Sequence, residues 1–515
     1  MQKWLLAGIL ALAFILRVIG LSSYPPGFTP DEASFGYDAY SILKTGKDQW
    51  GKPFPLVLES FGDFKSPLYA YLTVPSVAVF GLSKFAVRLP NAILGTLAVL
   101  ITYLLTKRLF DKEKGFMGEV AALLLAISPW HIMLSRGAFE ANLTTFFLPL
   151  AVLLLLNKRF VLAGLVFGLN LFSYHSAKIV TPLVLVATIV YSGYDYKKYW
   201  KGAAIFGAFL LLNFYTFTLG AGARATERSI TQGALEAAFG ERIHSSTIFH
   251  NKYFVVVDRF FSNYITYFSP QFLFSEGPRE GTYGMIPGRG VLFWFTLPFL
   301  FFLKKRRETF FLLFWVMIAV VPAALATGVG YHANRVAATM PALDIILATG
   351  AVGFLSWLKN RKYGYLFTKV FGILCLFLFI LFLEDYFVQS TFKIGKAMLV
   401  GNLETAEWVS TEFDKQKTVI VDKSLSEPHI YFAFAEKMDP LVYQEATKAW
   451  HYETWVDQIP EYSLGRYLFK DIKEGDLESD SVLIGRPEDF PESFRTNGEA
   501  KVAPDAPDIY TIWRD

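Results

Sequence analysis

The sequence contains few of the residues that typify soluble or disulfide-linked proteins. It has one cysteine, Cys375, among 515 residues, so an intramolecular disulfide is excluded and the redox compartment is not indicated. Charged residues make up 18% of the chain, below the roughly 25% of soluble domains. Apolar runs of about 15–22 residues recur as far as residue 387, and helices of that length can cross a bilayer. The composition predicts an all-α polytopic membrane protein.

Several catalytic motifs are also missing from the sequence. There is no Walker A motif, no G-x-G-x-x-G after a strand and no HExxH, and no Cys/His cluster has metal-ligand spacing. Without these motifs, nothing in the sequence indicates a nucleotide-dependent reaction on the cytoplasmic side. No internal repeat is evident, which disfavours a transporter. The net charge of +4 does not indicate a nucleic-acid partner, because the basic loops account for the excess of positive charge.

The charges of the connecting loops predict the topology. If the N-terminus is cytoplasmic, every second connection is basic: residues 106–114, 157–159, 196–201, 304–307 and 359–362. Basic loops favour the cytoplasmic side. The first span follows Lys3 and is predicted to be a retained anchor, because no small-residue cleavage site comes after it. We predict about 11 spans, at residues 4–21, 87–106, 116–133, 138–156, 160–174, 178–192, 203–219, 290–303, 309–326, 336–357 and 366–386.

Two further segments are predicted to lie along the membrane surface as juxtamembrane helices. They cover residues 34–44 and 68–82, and both belong to the first external segment, 22–86. The second is short and contains Pro75, and counting it as a span would place the basic loops outside.

The C-terminal tail differs from the rest in charge. Residues 388–515 hold 14 basic and 24 acidic residues, a balance of −10. Apolar runs at 418–422 and 481–485 predict buried strands, with helices at 401–414 and 428–437 and a last strand at 508–513. We therefore predict a transmembrane domain, 1–390, with external loops 22–86 and 220–289, and a small extracytoplasmic α/β domain, 391–515.

The acidic pair Asp31–Glu32 directly follows the first span. Ionisable groups next to hydrocarbon are costly and tend to be functional. One carboxylate could act as a general base while its neighbour orients it or binds a cation. A structural alternative is that Asp31 caps the next helix, since Thr-Pro-Asp-Glu-Ala is typical of a helix start. The two roles are compatible, because a capping acid is rigidly placed.

Basic residues on the same predicted face favour an anion site. His175 with Lys178, and His332 with Arg335, each place a histidine and a cation at the outer end of a helix. Such clusters bind phosphate groups. Lys65, at the start of the second juxtamembrane helix, either binds a lipid phosphate or extends toward anionic headgroups.

Arg136 and Glu140 lie four residues apart, between two spans. On one helix face they would pair as a structural salt bridge. The alternative is a role in orienting a substrate or a cation at the external face.

An external reaction without nucleotides needs an activated substrate, and a polyprenyl-phosphate sugar is a lipid with a phosphate leaving group. The motifs resemble the GT-C superfamily of membrane glycosyltransferases, in the branch of protein O-mannosyltransferases and lipid A aminoarabinose transferases. The segments that carry the resemblance are Thr29–Ala33, Phe64–Tyr69, Phe80–Pro90, Ser135–Glu140 and His332–Arg335. It implies that Asp31 is the catalytic carboxylate and that Lys65 contacts lipid phosphate. Glu140, where the family more often has Asp, and His175/Lys178, in place of Thr-Lys, depart from its pattern.

These features predict an inverting glycosyltransferase that moves a sugar from polyprenyl phosphate to an external hydroxyl of a protein, lipid or glycan. Asp31 and Glu32 are the predicted catalytic residues, with Asp31 as the base. The predicted donor-binding residues are Lys65, His175, Lys178, His332 and Arg335, and those orienting acceptor or cation are Arg136 and Glu140.

A divalent cation is the one cofactor considered, and its ligands are unknown. The predicted location is the cell (plasma) membrane, with the active site and the C-terminal domain outside. A non-catalytic carrier or flippase for lipid-linked sugars is the alternative function. It would need polar groups through the membrane interior, which the apolar spans lack.

Overall fold

The protein divides into two compact units. The structure, a computed structural model, describes residues 2–110, 115–193, 196–221, 229–234, 251–327, 331–413, 415–453, 455–478, 481–490, 500–503, 506 and 508–512. The helical unit comprises Met1–Ile19 and Asn91–Gln389, and the mixed unit comprises Gly20–Pro90 and Ser390–Asp515. The external segment 22–86, which the sequence analysis assigns to the transmembrane domain, therefore clusters with the C-terminal residues.

Helices dominate the described residues. Numbered in chain order, they are α1 (Gln2–Val18), α2 (Pro30–Thr45), α3 (Leu68–Phe80), α4 (Lys84–Leu109), α5 (Met117–Ile127), α6 (Pro129–Leu134), α7 (Leu143–Leu156), α8 (Phe160–Asn170), α9 (Ala177–Ser192), α10 (Tyr196–Thr216), α11 (Lys252–Thr266), α12 (Arg307–Ala324), α13 (Met340–Lys359), α14 (Gly364–Phe387), α15 (Ser390–Ile394), α16 (Asn402–Glu412), α17 (Pro428–Ala435) and α18 (Pro440–Thr447).

Five helices of the described residues are long and apolar enough to cross a membrane. They are Lys84–Leu109, Lys197–Leu219, Arg307–Ala324, Asn334–Lys359 and Gly364–Phe387. The prediction of a mostly helical, multi-pass membrane protein is confirmed, and the count of about 11 spans stays a prediction.

Two predicted spans differ locally from a continuous α-helix. The span at 290–303 is a 3-10 helix, Trp294–Phe302, that contains Pro298; proline has no N–H to donate to an α-helical bond. The span at 116–133 is divided at Ser128, where α5 ends and α6 begins. Ser128 Oγ accepts a hydrogen bond from His131 N at 3.4 Å, and Pro129 occupies the first turn of the new helix, where proline is favoured.

The mixed unit contains a six-stranded sheet. Its strands are β3 (Thr418–Val421), β4 (Glu461–Leu464), β5 (Tyr467–Lys470), β6 (Ser481–Gly485), β7 (Ala500–Val502) and β8 (Tyr510–Ile512), following a short hairpin of β1 (Leu58–Glu59) and β2 (Phe64–Lys65). The strand order is β4-β5-β3-β6-β8-β7, and β3 pairs in parallel with both β5 and β6. The predicted apolar strands at 418–422 and 481–485 are therefore central neighbours, as expected for apolar runs buried on both faces.

Helix α2 begins with a capping box in the mixed unit. Thr29 Oγ1 accepts from Glu32 N and Glu32 Oε2 accepts from Thr29 N, both at 3.4 Å, the reciprocal pattern of a Thr-x-x-Glu start. The cap that the sequence analysis assigned to Asp31 is thus made by Thr29, and Asp31 lies in the first turn.

Candidate active site

Asp31 presents a carboxylate at the start of α2. Its side chain is 56% exposed, and Oδ1 lies 2.7 Å from Nζ of Lys65, whose side chain is only 5% exposed. The Lys65 ammonium lies over the rings of Phe35 and Phe61, at 4.8 Å and 5.6 Å from their centroids. A buried cation therefore orients an accessible carboxylate, which is the arrangement that a base needs to meet an incoming hydroxyl.

Glu32 has a different environment. It forms a two-pronged ion pair with Arg88, with Nε donating to Oε1 and Nη2 to Oε2, each at 2.9 Å, and both side chains are fully buried. Arg88 also donates to the carbonyl oxygens of Leu21, Pro25 and Gly27 at 2.8–3.1 Å. The pair thus joins the chain before α2 to the start of α4. Arg88 lies in the segment Phe80–Pro90 that carries the family resemblance, and its pairing with Glu32 was not predicted from the sequence.

A further acidic residue of the mixed unit, Glu427, was not singled out from the sequence as a site residue. It directly precedes α17, and its Oε1 accepts from Trp455 Nε1 at 2.7 Å. Burial, together with the charges of Asp457 and Asp31, raises the pKa of Glu427 to about 7. Both Ser426 (φ 55°) and Glu427 (φ 42°) adopt left-handed backbone, which is rare for two successive residues other than glycine and common near functional sites.

The raised pKa of Glu427 predicts a pH-dependent stability. The unfolded chain releases this proton near the ordinary value of 4.5, and the folded chain near 7. The folded state therefore loses stability as the pH rises through this window and does not recover it above. Glu427→Gln should raise the melting temperature relative to wild type at pH 8 but not at pH 4.5. Glu445→Gln, at an exposed glutamate of the same unit, is the control, and identical pH profiles would contradict this assignment.

In the helical unit, three of the predicted phosphate ligands line one cavity. His175, Lys178 and Arg335 surround a volume of about 470 Å³, whose other walls include the apolar residues Phe217, Ile230, Pro322 and Leu325. The Lys178 ammonium lies 5.3 Å from the Phe217 ring centroid, and Arg335 Nη1 donates to Thr327 O at 3.2 Å. A cavity with cations against apolar walls suits an amphiphile with an anionic head.

His332 is held by an acid that the sequence analysis missed. Its Nδ1 lies 2.9 Å from Oε1 of Glu280, and Oε2 of Glu280 accepts from Asn334 N at 3.3 Å. Glu280 falls within the external loop 220–289, where no periodicity or motif distinguishes it. Only the folded loop brings it to the His332 turn.

Arg136 and Glu140 do not share a helix face, so that part of the prediction was wrong. Helix α6 ends at Leu134, and Glu140 begins a separate 3-10 turn, Glu140–Asn142. The buried Arg136 guanidinium donates to Leu16 O and Ile19 O, each at 2.6 Å, at the end of α1. Its carbon also lies 4.9 Å from the Phe387 ring centroid.

Comparisons with known proteins agree with the fold. Residues 64–217 match the family described as dolichyl-phosphate-mannose-protein mannosyltransferase. The ArnT of Cupriavidus metallidurans in the apo state is similar over 98% of this chain and 97% of its own, with a TM-score of 0.55 and 12% identity. The chain shares the fold of this ArnT. The resemblance to membrane glycosyltransferases of the mannosyltransferase-like and ArnT-like branch, predicted from the sequence, is confirmed.

A second ArnT structure from the same organism contains undecaprenyl phosphate. It matches this chain with a TM-score of 0.55 and 12% identity over 99% of this chain and 98% of that one. No curated protein shows significant sequence similarity. Among the residues that the structure describes, no three His, Cys, Asp or Glu side chains form a group that could hold a metal ion, and the divalent cation stays a prediction.

Proposed function

We propose that the chain is a lipid-linked glycosyltransferase that moves a sugar from polyprenyl phosphate to a hydroxyl acceptor outside the cytoplasm. The observation that carries the proposal is the cavity of the helical unit, where His175, Lys178 and Arg335 face apolar walls. A polyprenyl phosphate has an anionic head and an apolar chain, and such a lipid is bound by the ArnT with the same fold. The family match over residues 64–217 points to the same donor class.

In the proposed reaction, Asp31 takes the proton of the acceptor hydroxyl as that oxygen attacks the anomeric carbon. The bond between this carbon and the phosphate oxygen breaks, and the electron pair leaves with the phosphate. Attack opposite the leaving group inverts the anomeric centre. Cations already in place stabilise the charge that develops on the phosphate, and we assign this role to Lys178 and Arg335, with His175 and His332 assisting.

The remaining predicted residues support these steps. Lys65 pairs with Asp31, and we assign to it the orientation of the base, beside the phosphate contact that the resemblance implies. Glu32 is buried against Arg88, so we propose that it positions α2, and thereby Asp31. Arg136 and Glu140 remain candidates for orienting the acceptor. The basic loops place all of these groups outside the cytoplasm in the proposed topology.

The phosphate role of the cavity predicts weaker lipid binding when a cation is removed. Lys178→Ala and Arg335→Ala should each raise the Kd for undecaprenyl phosphate about tenfold or more, since a hydrogen bond to a charged group contributes about 1.5–3 kcal/mol. Lys369→Ala, at an exposed lysine of α14 that does not line the cavity, is the matched control. Kd values can be measured by titrating the purified variants in detergent. An unchanged Kd in both cavity variants would contradict the assignment.

The acceptor class is tested by following labelled sugar. Membranes with and without the protein are incubated with radiolabelled polyprenyl-phosphate sugars, and the protein, lipid and glycan fractions are then separated. A transferase moves label into one of these fractions in a protein-dependent way. A carrier or flippase leaves all label on polyprenyl phosphate, which would overturn the proposal.

A further inference from the structure

The turn that carries His332 has an unusual backbone. Tyr331 has a φ of 70° although it is not glycine, and such a conformation persists only where its surroundings determine it. Arg279 N donates to Tyr331 O at 3.2 Å, and the Arg279 guanidinium carbon lies 4.4 Å from the Tyr331 ring centroid. The loop residue Arg279 therefore holds the turn immediately before His332.

The next loop residue, Glu280, holds the turn from the other side. One of its oxygens lies 2.9 Å from His332 Nδ1, and the other accepts from the Asn334 amide. The Glu280 side chain is 8% exposed and that of His332 30% exposed, so the imidazole rather than the carboxylate is accessible. Two consecutive loop residues thus determine both the backbone and the ring orientation of this turn.

The contact with Glu280 also selects a ring nitrogen. A carboxylate accepts the proton on Nδ1, which leaves Nε2 as the nitrogen able to meet a ligand. Arg335, three residues later, lines the cavity together with His175 and Lys178. A carboxylate that fixes the ring of a ligand-binding histidine is a recurring way of orienting such groups.

We infer that Glu280 is a positioning residue for phosphate recognition, which it serves by holding His332 with Nε2 directed to the phosphate group bound beside Arg335. The inference rests on the proposed function and adds a residue to it. The recognised chemistry is a phosphate anion, either esterified to a polyprenyl chain or free as inorganic phosphate. Glu280 itself touches no substrate.

A double-mutant cycle separates positioning from a structural role. We expect Glu280→Ala to raise the Kd of the full-length protein for undecaprenyl phosphate about tenfold, the effect of one charge-assisted contact. Glu280→Gln should recover most of the affinity, because its amide oxygen still accepts the Nδ1 proton. In a His332→Ala background, Glu280→Ala should cause no further loss. Asp258→Ala removes an exposed acid of the same loop that does not line the cavity, and it should bind like wild type.

Several outcomes would overturn the inference. If Glu280→Ala lowers affinity equally with and without His332, the residue only supports the fold. If Glu280→Ala binds like wild type, it has no part in recognition. Inorganic phosphate is the second probe: it should compete with the lipid at millimolar concentration, and a lack of competition would place recognition in the polyprenyl chain. Wild-type protein that binds no undecaprenyl phosphate would refute the proposed function as well.

Discussion

Replacing Asp31 by asparagine is expected to lower sugar transfer by about 10²- to 10⁴-fold, the contribution of a positioned general base. The amide keeps the size of the carboxylate but cannot take the acceptor's proton. Asp31 is more than half exposed and the N-cap of its helix is Thr29, so the variant should insert and fold like wild type. Transfer can be followed as radiolabelled sugar incorporated per mole of purified, reconstituted protein.

The control for this variant is Asp471→Asn. Asp471 belongs to the same unit, is 73% exposed and also faces a lysine, Lys423, at 3.6 Å. It should transfer sugar at the wild-type rate. Near-wild-type turnover by Asp31→Asn would remove the base from the proposed mechanism, whatever the other residues do.

Removing one partner of the Arg88–Glu32 pair is expected to destabilise the protein strongly. Breaking a fully buried ion pair leaves an uncompensated charge and costs about 3–5 kcal/mol. Arg88→Met would also leave three loop carbonyls before α2 without their donor. Both Arg88→Met and Glu32→Gln should therefore lower the thermal unfolding midpoint in detergent by several degrees or prevent accumulation in membranes.

The double variant distinguishes pairing from separate roles. Because the two side chains interact directly, the loss in Arg88→Met/Glu32→Gln should be smaller than the two single losses added together. Lys52→Met, which breaks the more exposed Lys52–Glu59 pair of the same unit, should change stability by less than about 1 kcal/mol. Additive losses would show that Arg88 and Glu32 stabilise the protein independently. A stable Glu32→Gln variant without activity would restore a direct catalytic role to Glu32.

The sequence predicted the parts of the fold that depend on local patterns. Apolar runs located the helices, and the β-branched run at 418–421 located a central strand. The hairpin β4–β5 was missed although a signal was present. Alternating residues on both sides of Gly465-Arg466, with Gly465 at φ 59°, match a two-residue hairpin turn.

The candidate site was predictable where its residues belong to recurring motifs. Asp31, Lys65 and the two histidine–cation pairs could be named in this way. Glu280 and Glu427 could not, because each is a single acid in a segment without periodicity, and only long-range folding gives each one its partners. The Arg136–Glu140 spacing was misleading, because the helix ends at Leu134, before Arg136, and four residues outside a helix do not span one turn.

The most direct test of the account is a two-product measurement on purified protein reconstituted with labelled polyprenyl-phosphate sugar and an acceptor fraction from membranes. Labelled acceptor and released polyprenyl phosphate are quantified together, for wild type and Asp31→Asn. We expect wild type to form the two products in equal amounts and Asp31→Asn to form neither above background. Labelled donor that crosses the bilayer unchanged, or equal product formation by both proteins, would contradict it.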